Sequence, residues 1–97
     1  MKKEDWQKKG VGHRQRLKEK FQQCSIGAFS DAEVLELLLI LGTPRKDCKE
    51  QARSLLHHFG SLPNVLEASS SDIQKIKGVG PNNSFAIRFL HAVARRY

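Results

Sequence analysis

The chain has 97 residues, enough for one small domain whose single core lies near the lower limit of what folds unaided. No run of about 18 apolar residues is present to span a membrane, and Met1 leads into Lys2, Lys3, Glu4 and Asp5 instead of an apolar leader, so no secretory signal is read. Net charge is +7, placed as +5 in residues 1–20, −3 in residues 21–74 and +5 in residues 75–97, where no acid occurs; the basic ends point to a polyanionic partner.

Residues 1–10 read as a flexible basic arm with Trp6 as its one large apolar group. Over residues 11–23, Leu17 and Phe21 stand four apart among basic side chains, which predicts a weakly amphipathic helix. Residues 25–29, with Gly27, read as a loop. Ser30 followed by Glu33 has the spacing of a capping box and starts a helix that stops at Gly42. That helix is apolar on nearly every side and is expected to be the most buried. Thr43-Pro44-Arg45-Lys46 is a turn, and Asp47 with Glu50 is expected to cap the next helix. There Ala52, Leu55, Leu56 and Phe59 fall at i, i+3, i+4 and i+7, and Gly60 ends it. A short helix is predicted over residues 62–67, and Ser69 with Asp72 caps another that carries Ile73 and Ile76. The last helix opens at Pro81, which suits a first helical turn, and is expected to bury Phe85, Ala86, Phe89, Leu90 and Val93. β-branched alternation is absent, so the fold class is all-α, a small domain of about six helices.

An internal repeat is visible around the turns. Residues 39–42 correspond to residues 75–78, and Ala52, Leu55 and Leu56 correspond to Ala86, Phe89 and Leu90. Two such units related by a pseudo-two-fold bury a core that one pair of helices is too small to form.

The most informative stretch is Ile76-Lys77-Gly78-Val79-Gly80-Pro81. Gly78 and Gly80 are expected to adopt backbone angles closed to other residues. Their amides, with the N-terminus of the following helix, are expected to point at a phosphate. Val79 packs inward, Lys75 and Lys77 add charge, and Asn82 and Asn83 add donors without charge. The other reading is a helix connection that needs glycine for geometry alone. Thr43, Arg45 and Lys46 offer a second, weaker phosphate contact, and Arg14 and Arg16, beside His13, a further basic patch.

The glycine turn resembles the hairpin of the helix-hairpin-helix family, non-specific binders of the DNA backbone, and residues 59–80 are similar to the tandem unit of UvrC-type repair proteins. Closer still, Gly12-His13-Arg14-Gln15-Arg16-Leu17, then Ser30-Asp31-Ala32-Glu33-Val34-Leu35-Glu36-Leu37-Leu38-Leu39, then Pro44-Arg45-Lys46-Asp47 resemble the N-terminal region of RadC-family proteins. The likeness covers residues 10–97. It implies a tandem helix-hairpin-helix domain over residues 11–97, and DNA bound through phosphates without sequence specificity as part of a RadC-type repair protein. Hairpins of this kind that bind DNA often carry Lys or Arg two residues past the second glycine, where this chain has Asn82.

RadC-family chains continue into a JAB/MPN metalloprotease-like domain that holds zinc through a His-x-His pair and a distant Asp. Here His57 and His58 are adjacent while His13 and His91 stand alone, so a fragment of a longer chain is expected and zinc only in the domain that is missing. No acid follows Gly80 to serve as the aspartate of the related DNA glycosylases. No catalytic residue, metal ligand or cofactor is therefore assigned, and the chain is read as a binding module, not an enzyme. The alternative is a protein-interaction or positioning module for the metalloprotease-like domain, without DNA binding. Cys24 and Cys48 lack C-x-x-C spacing and are expected to be reduced thiols in the cytoplasm.

Overall fold

The structure, a computed structural model, describes residues 13–42 and 48–97. The expected arm at 1–10 with Trp6, residues 11 and 12, the His13 side chain, and Thr43, Pro44, Arg45, Lys46 and Asp47 lie outside the described residues. Among those described, six α-helices and one 3-10 turn make an all-α fold without a strand. They are α1 (His13–Cys24), the 3-10 turn (Ile26–Ala28), α2 (Asp31–Leu41), α3 (Lys49–Phe59), α4 (Leu62–Glu67), α5 (Ser70–Ile73) and α6 (Pro81–Arg96).

The start of α2 is fixed locally. The Ser30 hydroxyl accepts from the Glu33 N–H at 3.2 Å, and the Glu33 carboxylate accepts from the Ser30 N–H at 3.0 Å, the reciprocal box that the sequence spells out. Lys20 of α1 donates to both Glu33 oxygens at 2.9 and 3.1 Å and sits 5.3 Å over the Phe29 ring, while Leu17 is buried one turn earlier. The Ser30 amide, then Lys20, hold the Glu33 carboxyl below its ordinary 4.5. A carboxyl with a lowered folded pKa stabilises fully above its unfolded value and loses that contribution as pH falls through the folded one. The acid limb of a pH–stability curve, below pH 4.5, is therefore expected to be shallower in Glu33→Gln, which keeps the cap but not the charge. Parallel acid limbs in urea melts of the two proteins would exclude this.

Helix α2 is central, packing on α1, α3 and α6. Leu35, Leu38, Leu39 and Ile40 are buried, but Leu41 is 69% exposed, so the helix is not covered on every side. Gly42 allows a close approach. A Cβ there would lie 2.7 Å from the Ala86 Cβ and 3.0 Å from the Asn82 carbonyl oxygen, inside contact distance. In α3 the amphipathic face is as read, with Ala52 and Leu55 fully buried and Leu56 and Phe59 packed on the core. Its N-cap position is occupied by Cys48, buried and without a side-chain cap bond, where Asp47 was expected to act. Gly60 closes the helix at φ +94°, its N–H donating to the Leu56 carbonyl at 2.7 Å.

The short helices are also capped by serine. Ser61 accepts from the Asn64 N–H, and Ser69 from the Asp72 N–H, each at 3.2 Å. Helix α5 is one turn long, so Ile76 lies beyond it, yet both Ile73 and Ile76 reach the core.

The last helix is rotated from the sequence expectation. Phe85, Phe89, Leu90 and Val93 are between 45% and 67% exposed, and Ala86 is only partly covered. Asn83, Ser84 and Ile87 face inward instead. Two polar ties set this rotation: Asn83 Nδ2 donates to the Leu39 carbonyl at 3.2 Å, and the Ser84 and Ser70 hydroxyls share a hydrogen at 2.6 Å. Turning the aromatic side inward would break both, and the Leu39 carbonyl would keep only the Gly42 N–H at 3.1 Å, a loss of about 0.5–1.5 kcal/mol for the Asn83 bond alone. The expected pairing of Ala52 and Leu55 with Ala86 and Phe89 consequently fails in burial. Ser84 and Ile87, three apart like Ala52 and Leu55, are fully buried instead.

Candidate functional site

The expected binding residues of the second turn come together between α5 and α6, against α3. Gly78 has φ +86°, a left-handed angle that suits glycine, and a Cβ there would meet Gln51 Nε2 of α3 at 2.7 Å. The turn is thus seated on α3 by a missing side chain. Val79 is buried, as read, and its N–H donates to the Ile76 carbonyl at 3.0 Å.

Gly80 differs from the expectation. Its backbone at φ −101°, ψ −170° is ordinary extended chain, and nothing lies within 4 Å of a Cβ built there. Its N–H donates to Asn83 Oδ1 at 3.1 Å. Asn83, expected as an outward donor, is buried, with its oxygen on Gly80 and its nitrogen on Leu39. Both groups hold the turn to the core. Asn82 is exposed in the first turn of α6, where N–H groups lack carbonyl partners in their own helix.

Lys75 and Lys77 are exposed at the turn. Lys75 pairs with Asp72 at 3.2 Å, and this contact and charge, then the Ser69 hydroxyl and more weakly His58, lower the Asp72 carboxyl pKa. Facing the lysines is the outer side of α3. Arg53, His57 and His58 line, with Lys75 and Lys77, an open cleft of about 440 Å³. The sequence expectation weighs His57 and His58 only as metal ligands and does not include Arg53, because the apolar stripe of α3 lies on the opposite side. The signal was present, since Arg53 and His57 stand four apart on the side opposite Leu55.

The remaining expected residues are elsewhere. Arg14, partly buried, and Arg16, exposed, belong to α1, which packs chiefly on α2 and the 3-10 turn. Thr43, Arg45 and Lys46 fall outside the described residues. Among the described residues no three His, Cys, Asp or Glu side chains gather to hold a metal ion, and no helix is long and apolar enough to cross a membrane. Cys24 is exposed and Cys48 buried, and among the described residues neither forms a disulfide.

These features define a small, basic, all-α domain with a glycine turn clamped against a cationic helix face. The chain belongs to the UPF0758 family, whose model described as UPF0758 N-terminal matches residues 9–85. This is the RadC-like family, so the resemblance read from the sequence holds at that level. A UPF0758 protein of Fusobacterium nucleatum subsp. nucleatum is 43% identical over 84 residues, which are 87% of this chain and 36% of that relative. The chain thus spans about a third of the relative's length. No solved structure gives a significant match.

Proposed function

We propose that this domain binds the DNA backbone without sequence specificity, as a tandem helix-hairpin-helix module of a RadC-type repair protein. The observation that carries the reading is the coincidence of charge with a built turn. From residue 73 to residue 97 there are five Lys or Arg and no acid, and exposed Lys77 directly precedes the left-handed Gly78, four residues before α6 opens at Pro81. Binding then rests on Lys75, Lys77 and the first turn of α6, with Asn82 as an uncharged donor. The amides of Val79 and Gly80 take little part, since each already has an acceptor.

The test is a salt titration of affinity for duplex DNA by fluorescence anisotropy. With about three phosphates neutralised, log affinity is expected to fall against log salt with a slope near −3. Scrambling the probe sequence is expected to change little, because phosphate contacts carry no base information. Absence of binding at about 50 mM salt, where such contacts are strongest, sinks the proposal.

A second reading, a positioning module for the metalloprotease-like domain of longer family members, is supported by a different observation. Leu41, Phe85, Phe89 and Leu90 are all exposed along one side of the molecule, an apolar stretch larger than single scattered surface residues make.

A further inference from the structure

We infer that the cleft between α3 and the glycine turn is a phosphodiester-binding subsite, walled by Arg53 and His57 opposite Lys77, and that Asp72 occupies Lys75 as an internal competitor for the ligand. The inference rests on the proposed DNA-backbone reading and names where on the domain a phosphate sits.

Three observations carry it. The first is placement: the cleft, about 440 Å³ and open to solvent, takes its walls from two elements some twenty residues apart in sequence. Next to it Gly78, at φ +86°, brings the turn against Gln51 of α3. The second is charge. Arg53, Lys75 and Lys77 supply three fixed cations and His57 and His58 two imidazoles, all donors suited to non-bridging phosphate oxygens. The third is the Lys75–Asp72 pair at 3.2 Å, with side chains 71% and 51% exposed. An exposed pair of this kind contributes little to stability. A phosphate oxygen that displaces the Asp72 carboxylate from Lys75 therefore gives up little, and gains Arg53 and Lys77 in the same cleft. The main-chain amides, the expected donors, are largely committed inside the turn, so side chains from both walls bear the anion.

The experiment uses the 97-residue chain, a labelled DNA duplex of about 20 base pairs at about 50 mM salt, and the variants Arg53→Ala/His57→Ala and Asp72→Asn. The double variant is expected to weaken binding about five- to tenfold and flatten the salt slope by about one. Asp72→Asn is expected to tighten binding about two- to fivefold, by freeing Lys75 and removing a like charge from the phosphate's path. Misfolding cannot mimic that gain, and Arg53 and His57 are exposed positions whose melting curves are expected to overlay the parent's. If the parent binds DNA and neither variant differs from it, the subsite is refuted while the DNA reading stands. If the parent does not bind, that reading fails first and the subsite with it. If a poly-glutamate peptide displaces the duplex at equal charge concentration, the cleft is a site for acidic peptides and the phosphodiester assignment is overturned.

Discussion

Truncating Ile87 to alanine is expected to cost about 3–4 kcal/mol, while the same truncation of the larger Phe89 costs less than about 1 kcal/mol. Ile87 is fully buried in the core cluster shared with Leu35, Leu39, Leu55, Val65 and Ile73. Removing its side chain forfeits the transfer energy of the lost carbons and leaves a cavity that surrounding helices fill only in part. Phe89 is 59% exposed and stacks on Phe85 with ring centroids 5.7 Å apart, outside the core. In thermal melts the Ile87 variant is expected to lose about 12–30 °C, since about 1 kcal/mol shifts a domain of this size by about 4–8 °C. Equal losses at the two positions would falsify the rotation described for α6. The comparison is sharp because the apolar pattern alone favours the opposite order.

Asn83→Leu is expected to cost about 2–3 kcal/mol, although leucine is nearly the same size and more apolar. The Asn83 side chain joins two parts of the chain 44 residues apart, donating to the Leu39 carbonyl at the end of α2 and accepting from the Gly80 N–H. Leucine leaves the Gly80 N–H without this acceptor and the Leu39 carbonyl with the Gly42 N–H, at 3.1 Å, in place of two donors. Asn83→Asp keeps the acceptor for Gly80, loses the donor for Leu39, and places a negative charge against a carbonyl, so it is expected to be no better. Amide hydrogen exchange reads the effect locally: Gly80 is expected to exchange faster in Asn83→Leu, and no faster than the parent in Asn82→Leu. Unchanged exchange and unchanged melting in Asn83→Leu would remove the asparagine from this joining role.

The elements that were legible in the sequence are those fixed by near neighbours. Ser30 with Glu33, Gly60, Ser69 with Asp72, and Pro81 each set a helix end through contacts within a few residues, and each acts in the structure where the sequence puts it. The rotation of α6 was not legible. Phe85, Ala86, Phe89, Leu90 and Val93 gather on one side at helical spacing while Ile87 stands apart, so the apolar pattern names as inner the side that the structure leaves exposed. What chooses is a pair of polar ties, Asn83 to Leu39 and Ser84 to Ser70, whose partners are distant in the chain. At the candidate site the glycine turn and its lysines were readable, and Gly78 has the backbone angle its residue type suggests. Gly80 was misjudged because glycine signals permission for unusual angles, not their use. The α3 wall of the cleft was missed for another reason: the polar side of an amphipathic helix reads as plain solvent contact until a second element is placed against it.

The stacked rings of Phe85 and Phe89 and the cationic cleft answer to ionic strength in opposite senses. In dilute buffer, mutual repulsion between molecules of charge +7 keeps bare aromatic surfaces from meeting. Near 0.1 M salt the reach of that repulsion contracts to about 10 Å, while attraction between oily surfaces persists. Conditions that loosen an anion from the lysines are thus the ones that make the domain adhesive along its outer helix.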